Sequence, residues 1–279
     1  EMIAVGEPIP MRYDKYGYRV PLGYPDTDFT KRPLLLFLGD SFTYGSGCFA
    51  EATFPFILGK YLNGSVVNTG TISYSFSQML ILAKQLIPKY RPDYVVMQSS
   101  PWLVSRALEM YRATPTGKVP MPYIYMNKNG QMDVHYPVYM TNLLSLPIDK
   151  YKKTAKSSGD YLNFLREVAV PLYVYDDYNT VKTKVLTILG IVPLPATNNV
   201  IDVENYAYKE VFDLCRSNGS KLIIVFVGAK GWTKEYNDKI KITDDLLFVD
   251  AEKMLWAQLP EKTQNAYDKR YKHWRGIPR

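Results

Sequence analysis

Histidine is nearly absent from this sequence: among 279 residues there are two, His135 and His273. Acyl chemistry run through an activated serine usually draws its base from histidine, so the choice within the chain narrows to those two positions. Cysteine is as scarce, with only Cys48 and Cys215. Two cysteines exclude a disulfide framework, no Cys/His spacing fits zinc, and the redox compartment stays open. Long hydrophobic runs are missing too. The uncharged stretch from Val185 to Ile201 is broken by Pro193 and Pro195, and no run of 18 or more uncharged apolar residues exists, so no membrane-spanning helix is expected. No secretory signal pattern, internal repeat or nucleic-acid-binding signature is visible, and no metal or cofactor is expected.

The chain does have enough apolar material for a core, being 47% hydrophobic and 22% charged. Its length suits one large domain or a domain with a sizeable insertion. The net charge is +7, with basic runs at Lys150, Lys152, Lys153 and Lys156 and again at Lys269, Arg270, Lys272, Arg275 and Arg279. Such runs are commonly solvated faces, but they also suit an anionic polysaccharide or a membrane or envelope surface. The 24 tyrosines supply rigid contact area with polar tips, a composition that fits a binding groove.

Read along the chain, residues 1–32 form a polar, turn-rich lead-in. Pro33 to Leu38 is then apolar at every position and ends at Gly39, as expected of a strand buried on both faces. A helix is expected over Phe54 to Leu62 and a second strand at Val66-Val67. Phe76, Met79, Leu80, Ala83 and Ile87 follow helical spacing, with Ser73 or Ser75 as cap, and Tyr94 to Met97 reads as a third strand. This alternation predicts a parallel sheet with right-handed crossovers. The pattern resumes with a helical face at Tyr208, Val211, Phe212 and Cys215, then strands at Lys221 to Val227 and Leu246 to Val249. Between strands three and four lies far more chain than a crossover needs, and an insertion is expected at about residues 104–200. It should contain a hairpin around Asn129-Gly130 and a long helical pattern from Tyr161 to Leu189.

Gly39-Asp40-Ser41 follows the first buried strand directly. Ligands of open parallel sheets bind beyond the carboxyl ends of the strands, so a serine there can face a cleft. The bland alternative is a turn in which Asp40 and Ser41 only cap the next helix. The Gly-x-Ser-x-Gly elbow of alpha/beta hydrolases fits less well, because residue 43 is threonine.

Phe37-Leu38-Gly39-Asp40-Ser41-Phe42-Thr43-Tyr44-Gly45 resembles the first block of SGNH/GDSL hydrolases, and Asn68-Thr69-Gly70, followed by Ser73, Ser75 and Gln78, is similar to the second. The resemblance covers roughly residues 33–103 and 202–258. It implies a three-layer α/β/α sandwich around a parallel, flavodoxin-like sheet, with residues 33–279 as one domain carrying the insertion. It also implies Ser41 as nucleophile and the Gly70 N–H as an oxyanion donor. The third block departs from the family pattern: where an asparagine is usual, Gln98-Ser99-Ser100-Pro101-Trp102 brings Trp102, leaving Ser99 or Ser100 to supply a hydroxyl, or the oxyanion hole to rest on two backbone groups. The last block, Asp-x-x-His, is absent. His273 with Asp268 is one expected base pair, a pair beyond Arg279 the other, and His135, two residues after Asp133, trails both.

Three functions fit these residues. An esterase or deacetylase would pass an acyl group from an acylated glycan or small ester to Ser41 and then to water. An O-acetyltransferase would pass it to a glycan, as some SGNH-like domains do in bacterial envelope polysaccharide modification, which by analogy implies an extracytoplasmic, periplasmic or envelope address. A non-catalytic carbohydrate- or partner-binding module on a decayed SGNH fold is the third, and the two missing blocks favour it.

Overall fold

The computed structural model describes residues 2–4, 7–114, 117–136, 193, 195–196, 200–227 and 245–258. It divides into two compact units, residues 1–106 with 200–279, and residues 107–199.

The first unit opens with two short antiparallel pairs, β1 (Met2–Ala4) with β2 (Glu7–Ile9) and β3 (Arg12–Tyr13) with β4 (Arg19–Val20). The buried Asp14 carboxylate organises this lead-in by accepting hydrogen bonds from the Tyr16, Tyr18 and Thr27 amides and the Thr27 hydroxyl. Then come β5 (Leu34–Leu38), the one-turn helix α1 (Ser41–Tyr44), α2 (Phe54–Tyr61), β6 (Ser65–Asn68), α3 (Phe76–Tyr90), β7 (Tyr94–Ser99) and α4 (Pro101–Ala107). In the second unit, β8 (Tyr111–Thr114) pairs with β9 (Gly117–Pro120), and β10 (Tyr123–Met126) with β11 (Met132–His135) around the expected Asn-Gly turn. The Tyr161 to Leu189 helical pattern lies outside the described residues. The first unit resumes with α5 (Val200–Asn218), β12 (Lys221–Phe226), β13 (Leu246–Asp250) and α6 (Ala251–Ala257).

Five strands form one parallel sheet in the order β13-β12-β7-β5-β6. Numbered along the chain, that is the 2-1-3-4-5 order of flavodoxin-like sheets, whose direction of winding reverses between the first and third strands, here β5 and β7. Strand alternation sorts the core into two layers. Leu35, Phe37, Val66 and Val96 pack with Phe54, Phe56 and Leu58 of α2 and with Val20 of the lead-in. Leu34, Leu36, Leu38, Val95, Met97 and Ile224 alternate with them toward the opposite face and are at most 2% exposed. On α3 and α5 the apolar stripes carry Phe76, Met79, Leu80 and Ala83, and Val203, Ala207, Tyr208 and Val211, all at most 1% exposed. Phe76 meets Tyr208 edge-on at 5.9 Å, and Tyr208 meets Phe226 of β12 at 6.5 Å. Each fully buried large apolar side chain of this kind stabilises the fold by ~1.5–3 kcal/mol, which is why the sheet is rigid enough to aim its strand ends. Ser75 and Gln78 form the capping box that starts α3, satisfying amides that would otherwise be unpaired.

Candidate active site

The switch point of the sheet lies where β5 and β7 end. Gly39 leaves β5 through a gap no side chain fits: a Cβ would stand 1.9 Å from Thr43 Oγ1 and 2.8 Å from Gln98 Oε1. Asp40 follows, 0% exposed, with four donors on its carboxylate. Oδ1 accepts from the Phe42 amide at 3.0 Å and from Gln98 Nε2 at 2.8 Å. Oδ2 accepts from Trp102 Nε1 at 2.6 Å and from Arg106 Nη1 at 3.0 Å. A buried carboxylate persists only when paired and hydrogen-bonded, and Asp40 is both.

Gln98 is the matching piece on β7. Its Oε1 accepts from the Asp40 amide at 3.1 Å and the Thr43 hydroxyl at 2.7 Å, and its Nε2 also donates to Ser100 Oγ at 2.9 Å. Every polar valence of this amide is engaged, so it bolts the turn after β5 to the end of β7.

Ser41 is the exception in this crowded region. It is half-buried, and among the described residues neither its hydroxyl nor its N–H has a hydrogen-bond partner. Its carbonyl accepts from the Gly45 and Ser46 amides, both at 3.0 Å, closing α1 after one turn with Gly45 in the left-handed region. The lead-in holds that closure from outside. Arg19, 2% exposed, donates to the carbonyls of Tyr44 at 2.9 Å, Gly45 at 2.7 Å and Cys48 at 2.6 Å, and its guanidinium lies over the Tyr44 ring at 4.9 Å.

The second block packs on the first. Asn68 Nδ2 donates to the Thr43 carbonyl at 2.9 Å, the Thr71 amide donates to the Gly39 carbonyl at 3.3 Å, and a Cβ on Gly70 would come within 2.4 Å of the Tyr44 nitrogen. This explains the glycine by close backbone approach. The Gly70 N–H, however, donates to Asn68 Oδ1 at 3.0 Å, so the group expected to meet an oxyanion is engaged by a neighbouring side chain.

Ser99 and Ser100, the expected hydroxyl donors, do not border open space; each is 1% exposed. Ser99 Oγ and Tyr208 OH share a hydrogen bond of 2.5 Å, and Ser100 Oγ donates to the Val227 carbonyl at 2.8 Å while accepting from Gln98. Both hydroxyls serve the scaffold. Glu204 of α5 lies in the same layer, 0% exposed, and neither carboxyl oxygen makes a hydrogen bond of standard geometry. Burial pushes its pKa up to about 8, with the Ser99 and Tyr208 hydroxyls pulling weakly the other way, so the carboxyl keeps its proton at neutral pH.

His273 and Asp268 lie outside the described residues. His135 is in the second unit, on β11, with its ring stacked on Tyr123 at 4.9 Å and a buried, unpartnered Nδ1; burial lowers its pKa from the ordinary 6.5, favouring the neutral ring. Among the described residues no three His, Cys, Asp or Glu side chains gather as a metal site, and no helix is long and apolar enough to cross a membrane.

No family model matches the chain, and no curated protein matches it. The site is therefore read on its own geometry.

Beside the second-block loop is a pocket of about 390 Å³ whose walls include Tyr13, Tyr18, Tyr44 and Tyr74 with Ile72. Tyr13 OH and Tyr44 OH share a hydrogen bond of 2.5 Å; burial and that bond raise the Tyr44 pKa to about 12.

Gln98, Trp102 and Arg106 were missed as site residues by sequence reasoning. A signal existed for each. Gln98 is the polar end of an apolar strand, and a buried amide must find partners. Trp102 and Arg106 are four apart on one helix and so share a face.

Proposed function

We propose that this chain is a serine-dependent ester-processing enzyme of SGNH type, acting through an acyl-enzyme on Ser41. The observation that carries the reading is the contrast at one strand end: a half-buried serine whose N–H and hydroxyl have no partner among the described residues, standing on a fully buried aspartate held by four donors. The location at the switch point of a parallel sheet supports it. An acylated carbohydrate or small ester is the proposed substrate class. The tyrosine-walled pocket is lined by Gly70 and Thr71 of the second block and not by Ser41; it suits a sugar, because tyrosine offers a flat face to ring C–H groups and a polar tip to hydroxyls. Hydrolysis or deacetylation and O-acetyl transfer share the acyl-enzyme and differ only in the acceptor, water or a sugar hydroxyl. His273, assisted by Asp268, is proposed as the base. An envelope address is proposed by the same analogy.

A specific observation favours a second reading, a carbohydrate-binding module without catalysis: the Gly70 N–H is engaged by Asn68 and the third block carries Trp102 in place of an amide.

Turnover of p-nitrophenyl acetate and of acetylated xylan by the wild-type chain and by Ser41→Ala separates the two. The enzymatic reading expects wild-type acetate release that disappears in Ser41→Ala. Equal release from both, or none from wild type with retained xylan binding, supports the module.

A further inference from the structure

Acyl transfer to Ser41 places a negative charge on the former carbonyl oxygen, and that charge needs donors aimed at it. The donors at the three strand ends are almost all engaged elsewhere. Gly70 N–H is on Asn68, Phe42 N–H and Trp102 Nε1–H are on Asp40, Gln98 Nε2 is on Asp40 and Ser100, and the Ser99 and Ser100 hydroxyls face inward. Among the described donors at these strand ends, one strong donor is left besides the Ser41 N–H. Arg106 uses only Nη1, on Asp40 Oδ2 at 3.0 Å and the Tyr74 carbonyl at 3.4 Å. Among the described residues its Nε–H and both Nη2–H groups have no partner, and its side chain is 28% exposed. It is also the side chain that ties the three blocks together: it rises from α4 after β7, bonds the turn after β5 and reaches the loop after β6.

We propose that Arg106 is a catalytic residue of this site: its free guanidinium edge supplies the oxyanion stabilisation that an asparagine amide gives in the resembled family. The proposal rests on the serine reading above. In the step it serves, the Ser41 Oγ–C bond forms, the carbonyl π pair moves onto oxygen beside the guanidinium, and the hydroxyl proton passes to an imidazole base. Collapse restores C=O, breaks the bond to the alcohol oxygen and returns the proton to the leaving alcohol. Asp40 is essential to this role, since it fixes one edge of the guanidinium and leaves the other for the reaction. It also neutralises the resting charge, so an anionic transition state gains more from Arg106 than a neutral ester does. The missing third-block asparagine is then a replacement of donor type. Trp102 helps hold Asp40 through its indole N–H, and its ring lies 5.4 Å from that of Phe42.

The test is steady-state kinetics on p-nitrophenyl acetate with Arg106→Lys and Arg106→Gln, alongside inhibition by phenylboronic acid, whose serine adduct is a tetrahedral anion. Lysine keeps an ion pair with Asp40 but has no second edge. Arg106→Lys is expected to lower kcat about a hundredfold, with KM little changed and boronic acid affinity falling in parallel. Retention of kcat within about threefold overturns the proposal, because a structural cation would be served equally well by lysine. Should the variants fail to fold, the wild-type chain answers by phenylglyoxal modification mapped by mass spectrometry: Arg106 is expected to react in the free chain and to be protected by phenylboronic acid, and unaltered reactivity refutes the role. A wild-type chain without ester turnover removes the serine reading and this proposal together, whereas an active wild type with unimpaired Arg106→Lys removes this proposal alone.

Discussion

The ends of β5 and β7 lie side by side in the sheet, each passes through serine, and they treat it in opposite ways. On β7, Ser99 and Ser100 are 1% exposed and both hydroxyls are bonded into the scaffold. Just after β5, Ser41 is half-buried and, among the described residues, its N–H and hydroxyl have no hydrogen-bond partner, while the residue before it, Asp40, takes four hydrogen bonds. The difference teaches how a serine is left accessible on a rigid support. The polar groups of one strand end are consumed in holding the other, so that of these three serine hydroxyls only that of Ser41 is without a partner among the described residues.

The most damaging way to break this contrast is Asp40→Ala. It leaves Arg106, Trp102, Gln98 and the Phe42 amide without their shared acceptor, and removing one partner of a buried ion pair costs roughly 3–5 kcal/mol. Chemical denaturation should show a loss of that order. A loss within ~0.5 kcal/mol, the size typical of surface changes, would mean that the carboxylate is not the anchor described.

The β7 side can be sharpened through Glu204. Its folded pKa, about 8, lies above the ordinary 4.5, so the folded state holds the proton more tightly than the unfolded chain. The stability this group contributes is full below about pH 4.5 and falls as pH rises through 8, at up to ~1.4 kcal/mol per pH unit. Glu204→Gln cannot ionise and should flatten unfolding free energy across that window, ending more stable than wild type at pH 8 by a few kcal/mol, on the order set by that slope. Parallel pH profiles for the two proteins would contradict the buried neutral acid.

Much of the fold was legible in sequence because its signals are local. The all-apolar run from Leu34 to Leu38 and the helical spacing from Phe76 to Ile87 each report their own surroundings, and the five expected strands are the five strands of the sheet. Asn129-Gly130 marked the β10–β11 turn for the same reason. Of the candidate site, the position of Ser41 was legible because the strand end and its turn are contiguous. Its supports were not, because they are contacts across the chain: Gln98 meets Asp40 over 58 positions, Arg106 over 66, and Arg19 caps α1 from 25 positions upstream. The lead-in, separate in sequence, is thus part of what holds the serine turn. Ser99 and Ser100 misled for a related reason: a hydroxyl just after a buried strand can face a cleft or the interior, and Tyr208, Val227 and Gln98 decided it by offering partners.

The central claim is that Ser41 alone among these strand-end serines is an activated nucleophile. A fluorophosphonate probe forms a phosphorus–oxygen bond to such a serine and expels fluoride, and tandem mass spectrometry locates the adduct. The account predicts stoichiometric labelling at Ser41, none at Ser99 or Ser100, and none anywhere in folded Ser41→Ala. An unlabelled Ser41 in folded wild-type protein, or a label that persists after Ser41→Ala, would contradict it.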